Sequence, residues 1–332
     1  MLVKYPAWQS LSPKLPEFII IDKKELWPLK KILGVDGVFY QVKFDNKLTT
    51  AFLFETLISR ERFFIKKISN GEKKHYINCE HLTKWIYSEE FLVNSSILNF
   101  PDLKDNSIYY VYPYVDGARV QAKTDELILL GRSLAKLHQK IKDYPKKQTI
   151  INNTCAKIDQ LEQAQKSIIL GKYCSIPNFS YVRQIAQKYS LHLIDLSNSQ
   201  ILHGDLNPGN LLLSEQKICF FDFEDALHSY LPVIFDLAFI IERIIFTNAN
   251  DGSRVLDLGK IFLNAYKDAG GSYEYKRNDE HLLSILSLKA FCLLSMCGVS
   301  DDSVLNSEWN KFLKLSNLAE KDKDLLKTIL KG

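Results

Sequence analysis

The stretch His203-Gly204-Asp205-Leu206-Asn207-Pro208-Gly209-Asn210 is followed by Leu211-Leu212-Leu213, a polar turn, and Ile218-Cys219-Phe220-Phe221-Asp222-Phe223-Glu224-Asp225. It reads as a short apolar hairpin with two acids and an amide on the loops at its ends. Loops set down by rigid strands are where catalytic groups tend to lie. A hairpin of this size is expected to bring Asp205, Asn210 and Asp222 together. Phosphoryl transfer calls for such a set: an acid to orient a hydroxyl, and an amide and a carboxylate to hold Mg2+.

Working outward, residues 231–247, 254–269, 279–297 and 306–330 read as helices, with Gly270-Gly271 as a stop. Asp125–Ile141 places Leu127, Leu130, Leu134, Leu137 and Ile141 along one stripe. Residues 150–198 read as two helices separated by a loop near Pro177. The N-terminal third has another character. Leu26–Leu33, Val38–Phe44, Arg62–Ile68 and Tyr109–Val115 read as strands, and residues 76–88 as a helix with Ile77, Leu82, Trp85 and Ile86 on one face. The expected class is α+β, with the change of character at Asp116-Gly117.

The order His203, Asp205, Asn210, apolar strand, Asp222 resembles the catalytic and metal-binding loops of the aminoglycoside phosphotransferase/choline kinase superfamily. The resemblance implies a bilobal, protein-kinase-like fold. Residues 1–115 would form a β-rich nucleotide-binding lobe and residues 116–332 a mainly helical catalytic and substrate-binding lobe. It implies an ATP- and Mg2+-dependent phosphotransferase acting on a small-molecule hydroxyl: an aminoglycoside, choline or ethanolamine, a sugar or similar. Asp205 would be the catalytic base, Asn210 and Asp222 the metal ligands, and His203 a structural support. A protein serine/threonine kinase, or a degenerate binding module of the same fold, stays open as the alternative.

Other positions follow from the same resemblance. Asp236, in Phe235-Asp236-Leu237-Ala238, resembles the helix-borne Asp that braces the catalytic loop; a charge in so apolar a helix needs a partner if buried. Lys66, ending Phe63-Phe64-Ile65-Lys66, resembles the strand lysine that steadies the nucleotide phosphates. Lys67 must point to the opposite face, because strand side chains alternate. Lys66 is preferred, since Phe63, Ile65 and Lys67 then share the other face. Glu80 resembles the glutamate that pairs with this lysine. Tyr112-Pro113-Tyr114-Val115-Asp116-Gly117 resembles the connector beside adenine, which nominates Tyr112 and Tyr114; Pro113 has no N–H to donate. The Gly34-Val35-Asp36-Gly37 turn could let backbone amides approach phosphates, although the full kinase glycine loop is missing. Glu224, Asp225 and Asp236 are expected around the acceptor, which favours a cationic or polyhydroxyl compound.

The bulk properties narrow the alternatives. With 332 residues the chain can build two lobes around a cleft. A net charge of +4, with scattered lysines, gives no basic block and no case for a nucleic-acid partner. Asp236, Glu242, Arg243 and Lys289 interrupt the most apolar stretches, so no membrane span is expected. None of the six cysteines forms a C-x-x-C pair, which points to buried free thiols and a reducing cytoplasm. P-loop, dinucleotide-binding and nucleophile-elbow motifs are absent, arguing against those nucleotide-binding and hydrolase folds. Nothing in the sequence reads on oligomeric state.

Overall fold

The computed structural model describes residues 17–44, 47–87, 91–191, 196–248, 252–298 and 303–332. The chain runs through β1 (Glu17–Ile21), α1 (Trp27–Leu33), β2 (Gly37–Phe44), β3 (Lys47–Thr56), β4 (Arg62–Ile68), α2 (Lys73–Trp85), β5 (Leu92–Val93), β6 (Leu98–Pro101), β7 (Ile108–Pro113) and β8 (Ala118–Arg119). Then come α3 (Thr124–Lys142), α4 (Lys147–Ile169), α5 (Phe179–Lys188), β9 (Ser199–Ile201), β10 (Leu211–Ser214), β11 (Lys217–Phe220) and β12 (Tyr230–Pro232). The last elements are α6 (Ile234–Ile240), α7 (Gly252–Asp268), α8 (Leu282–Met296), α9 (Ser303–Lys321) and α10 (Lys323–Lys331).

The N-terminal part is a six-stranded antiparallel sheet in the order β1-β2-β3-β4-β7-β6. Its two faces carry different cores, as the alternation of strand side chains requires. Phe39, Phe52, Phe54, Ile65, Tyr109 and Val111 pack on one face with Leu26 and Leu29, and Phe63 joins them. Ile68, Tyr110 and Tyr112 pack on the other with Tyr76 of α2. Lys66 sits between Ala51 and Tyr110 in the ladder.

Leu26–Leu33, expected as a strand, is a 3-10 turn running into α1. Leu26 and Leu29 are fully buried at helical spacing, Pro28 lies in the first turn where its missing N–H costs nothing, and Gly34 closes the helix in the left-handed region at φ 67°. A short apolar run does not distinguish the two conformations by periodicity alone. Gly34 and Gly37 therefore end α1 and open β2. The helix expected over 306–330 is two, α9 and α10, meeting at Asp322.

The C-terminal part is built around the β10–β11 hairpin, extended to a four-stranded sheet in the order β5-β11-β10-β8. Helices α3, α4, α6, α7 and α8 share one large core beneath it. Cys79 and Leu82 of α2, with Ile86 and Phe91 beyond its end, belong to that same core. After α6 the backbone widens into a π-helical turn, Ile241–Phe246, all of it buried. The cysteines are all free: Cys79, Cys219 and Cys292 are buried as expected, but Cys155, Cys174 and Cys297 are exposed. No described helix is long and apolar enough to cross a membrane.

Candidate active site

The loop after β9 is held from below by one carboxylate. Asp236, 2% exposed, accepts the His203 N–H on Oδ2 at 3.0 Å and the Gly204 N–H on Oδ1 at 3.1 Å. His138 of α3 adds Nε2 at 3.1 Å from Oδ2, and its Nδ1 lies 2.9 Å from the Tyr266 hydroxyl. With a carboxylate on one side and a phenol on the other, Nε2 carries the proton and Nδ1 accepts. Burial first, and then Asp236, push the Tyr266 phenol upward, which keeps it a donor. Gly204 is required twice over: its φ is +81°, and a Cβ there would lie 2.2 Å from the Ser229 Oγ.

The same loop aims Asp205. Asn207 and Asn210 both donate to its Oδ2, at 3.0 and 3.1 Å, which fixes the carboxylate plane. Asn210 also donates to the Asp205 carbonyl at 2.8 Å. A carbonyl only accepts, so this contact sets the amide orientation, with Nδ2 toward Asp205. His203 spends both ring nitrogens on backbone: Nε2 donates to the Phe221 carbonyl at 2.9 Å and Nδ1 faces the Asp205 N–H at 3.4 Å. It couples the loop of Asp205 to that of Asp222.

The β10–β11 register sets Leu211 opposite Phe220, and Phe221 N–H bonds the Asn210 carbonyl at 3.0 Å. Asn210 and Asp222 thus leave the hairpin at the same end. Asp222 is in the left-handed region at φ 61°. That conformation costs a non-glycine residue on the order of 1 kcal/mol or more and is concentrated at functional sites. An amide oxygen and a carboxylate give two hard oxygen ligands, a set that suits Mg2+ when phosphates and water supply the rest.

On the nucleotide side, the structure separates the two lysines as the alternation requires. Lys67 points to the α1 face and pairs with Asp102 and Asp105, each at 2.7 Å. Lys66 points to the α2 face, but its partner is Glu224 at 2.6 Å, not Glu80. Its ammonium also stands 4.6 Å from the centre of the Tyr76 ring. Glu80, 7% exposed, is spent within the lobe: it accepts from the Tyr112 hydroxyl at 2.7 Å and from the Ser96 N–H at 3.1 Å. The Tyr76 hydroxyl bonds that of Tyr112, so Lys66 and Glu80 are joined only through two tyrosines. Tyr112 is therefore a core residue with an occupied hydroxyl, 4% exposed. Tyr114 stacks on the Arg62 guanidinium at 4.4 Å, and its N–H is bonded to the Arg62 carbonyl at 3.0 Å.

The acceptor side differs from expectation as well. Glu224 is paired with Lys66, and Asp236 accepts from the N–H groups of the catalytic loop. The π-helical turn instead carries Glu242, fully buried, with Arg243 Nε 2.7 Å away but not aligned as a hydrogen bond. Burial pushes the Glu242 carboxyl upward, with Arg243 opposing. The Arg243 guanidinium lies over Phe239 and Phe312, at 4.9 and 5.2 Å. Lys311, held below the usual lysine range mainly by burial, feels the charge of Asp205. Asn207, His138 and Lys311 carried no spacing signal in the sequence.

A family model described as the phosphotransferase enzyme family (APH) matches residues 56–273, a span that includes both loops, Lys66 and Asp236. The chain belongs to this family. It is a phosphotransferase with an alcohol group as acceptor. A protein LicA homolog from Metamycoplasma hominis is 30% identical over 218 residues, covering 64% of this chain and 78% of that protein. The solved choline kinase LicA from Streptococcus pneumoniae superposes with a TM-score of 0.55 at 15% identity, over 90% of this chain and 97% of that one. The spectinomycin phosphotransferase APH(9)-Ia, solved with ADP and spectinomycin, gives 0.53 at 16% identity, over 93% and 98%. At these identities the likeness is one of fold, and the fold is the α+β, kinase-like one the sequence led us to expect.

Proposed function

We propose that this APH-family phosphotransferase moves the γ-phosphate of ATP to a hydroxyl of a small molecule, with Mg2+ as cofactor. The observation that carries this reading is the convergence of Asp205, Asn210 and Asp222 on braced loops at one end of a rigid hairpin. Phosphoryl transfer depends on positioning and charge more than on covalent chemistry. Asp205, its plane fixed by two amides, accepts a hydrogen bond from the acceptor hydroxyl and takes its proton as the new bond forms. Asn210 and Asp222 would hold the metal, which neutralises phosphate charge when bound. Lys66 exchanges Glu224 for the nucleotide phosphates, keeping its charge paired throughout. The part of the chain before residue 116 would carry the nucleotide and the remainder the acceptor.

Calorimetry with ATP, with and without Mg2+, tests this on wild type and Asp222→Ala. Binding that needs Mg2+ and is lost in the variant is expected. A wild type that binds no ATP under either condition would remove the reading.

A further inference from the structure

A second concave site lies against the catalytic loop, among α4, α6 and α8. Its enclosed space is small, about 40 Å3, and it opens to solvent at its mouth. Gly204 and Asp236 line it, so it abuts the loop that carries Asp205. Much of the remaining wall is apolar, Phe235, Phe239 and Ile285 among it. Two cationic side chains reach it, Lys157 from α4 and Lys289 from α8, with His228 from the turn before β12 beside them. The Asp236 carboxylate also lines it, turned to the catalytic loop, where its oxygens accept the His203 and Gly204 N–H groups.

The two lysines lack acidic partners. Among the described residues Lys157 makes one long bond, to Gln160 at 3.5 Å, and Lys289 meets no carboxylate at ion-pair distance. Burial, and then the Lys289 charge, hold the Lys157 ammonium below its usual range; Asp225 pulls the other way. His228, stacked on His75 at 5.3 Å, is lowered by burial, by His75 and by both lysines. Like charges set close together against apolar walls repel one another and concentrate a positive field. An anion placed between them removes the repulsion and gains charge-assisted hydrogen bonds.

We propose that this pocket holds an anionic group of the alcohol acceptor, a carboxylate or a phosphate, between Lys157 and Lys289. The inference rests on the phosphotransferase reading above and narrows its acceptor to anionic alcohols. It departs from the cationic preference drawn from Glu224, Asp225 and Asp236; Glu224 is paired with Lys66, and Asp236 accepts from the catalytic loop.

The test uses glycerol, glycerate and glycerol phosphate, with choline as the cationic comparison. Binding is measured by calorimetry on protein saturated with ADP and Mg2+, for wild type, Lys157→Gln/Lys289→Gln and Lys157→Arg/Lys289→Arg. Wild type is expected to bind at least one of the two anions about tenfold or more tightly than glycerol or choline, the scale of a charged hydrogen bond. The glutamine pair loses that preference and the arginine pair keeps it. Which anion wins identifies carboxylate or phosphate. Without ligand the glutamine pair should melt no lower than wild type, since a repulsion has been removed, so lost binding is not lost folding. The proposal is overturned if glycerol or choline binds as tightly as both anions, or if anion binding survives in the glutamine pair. Failure of ADP to bind would instead strike the nucleotide reading; the anion titrations without nucleotide would still decide the pocket.

Discussion

At the scale of single residues, the catalytic loop is an arrangement in which each small or polar side chain has one job. Gly204 lets the backbone turn through the left-handed region and lets Ser229 approach. We expect Gly204→Ala to cost about 1–3 kcal/mol, the range for strained backbone and overpacking. It should also lower kcat more than the KM for ATP, because Asp205 is displaced while the small lobe is untouched. Equilibrium unfolding and steady-state kinetics on one preparation check both. Asp205, Asn210 and Asp222 were legible because the chain states them in a fixed order around a hairpin. Asn207 and His138 were not, since a lone amide in a turn and a lone His on an amphipathic helix read the same whether or not they brace anything. Their roles come from where Asp205 and Asp236 end up in space.

At the scale of elements, strand alternation decided which lysine faces the cleft, and the ladder agrees with it. Lys66→Met should raise the KM for ATP about tenfold or more, because a charged contact to phosphate is lost. Lys67→Met should leave it unchanged, since Asp102 and Asp105 hold that side chain on the far face. An equal effect of the two would refute the assignment. Glu80 could not be read this way. Its position on α2 pointed toward Lys66, yet the tyrosines that intercept it, Tyr76 and Tyr112, were indistinguishable from core aromatics. Leu26–Leu33 failed for a related reason: eight residues with apolar ends satisfy both helix and strand, and the choice fell to Pro28 and Gly34.

At the scale of the whole molecule, burial sorts the thiols. Cys219 and Cys292 are pushed up to about 12 by burial, and burial also raises Cys79 well above its ordinary value, so none of these forms thiolate in the native state. A thiol reagent should label Cys155, Cys174 and Cys297 in native protein and the other three only after denaturation, as peptide mapping would read. The C-terminal helix supplies an acid-sensitive tie. The Tyr275 hydroxyl first, and Lys327 of α10 after it, pull the Glu280 carboxyl from 4.5 to about 2, against partial burial. A depressed folded-state value gives stability that is whole above about 4.5 and is lost as the pH falls toward about 2. Glu280→Gln should flatten that part of the acid-unfolding curve and lower stability at neutral pH, where the carboxylate's contribution is whole.

The packing of α2 into the large core has a consequence for how the polypeptide can be divided. A break at residue 116 would strip Leu82, Ile86 and Phe91 from that core and take the edge strand β5 from beside β11. Each fragment would expose the apolar surface that the other covers. Co-expressed as two separate chains, residues 1–115 and 116–332 should therefore find one another without a tether and restore turnover, whereas either alone should precipitate. The chain would then serve as a split reporter, its reassembly read out by the very reaction it catalyses.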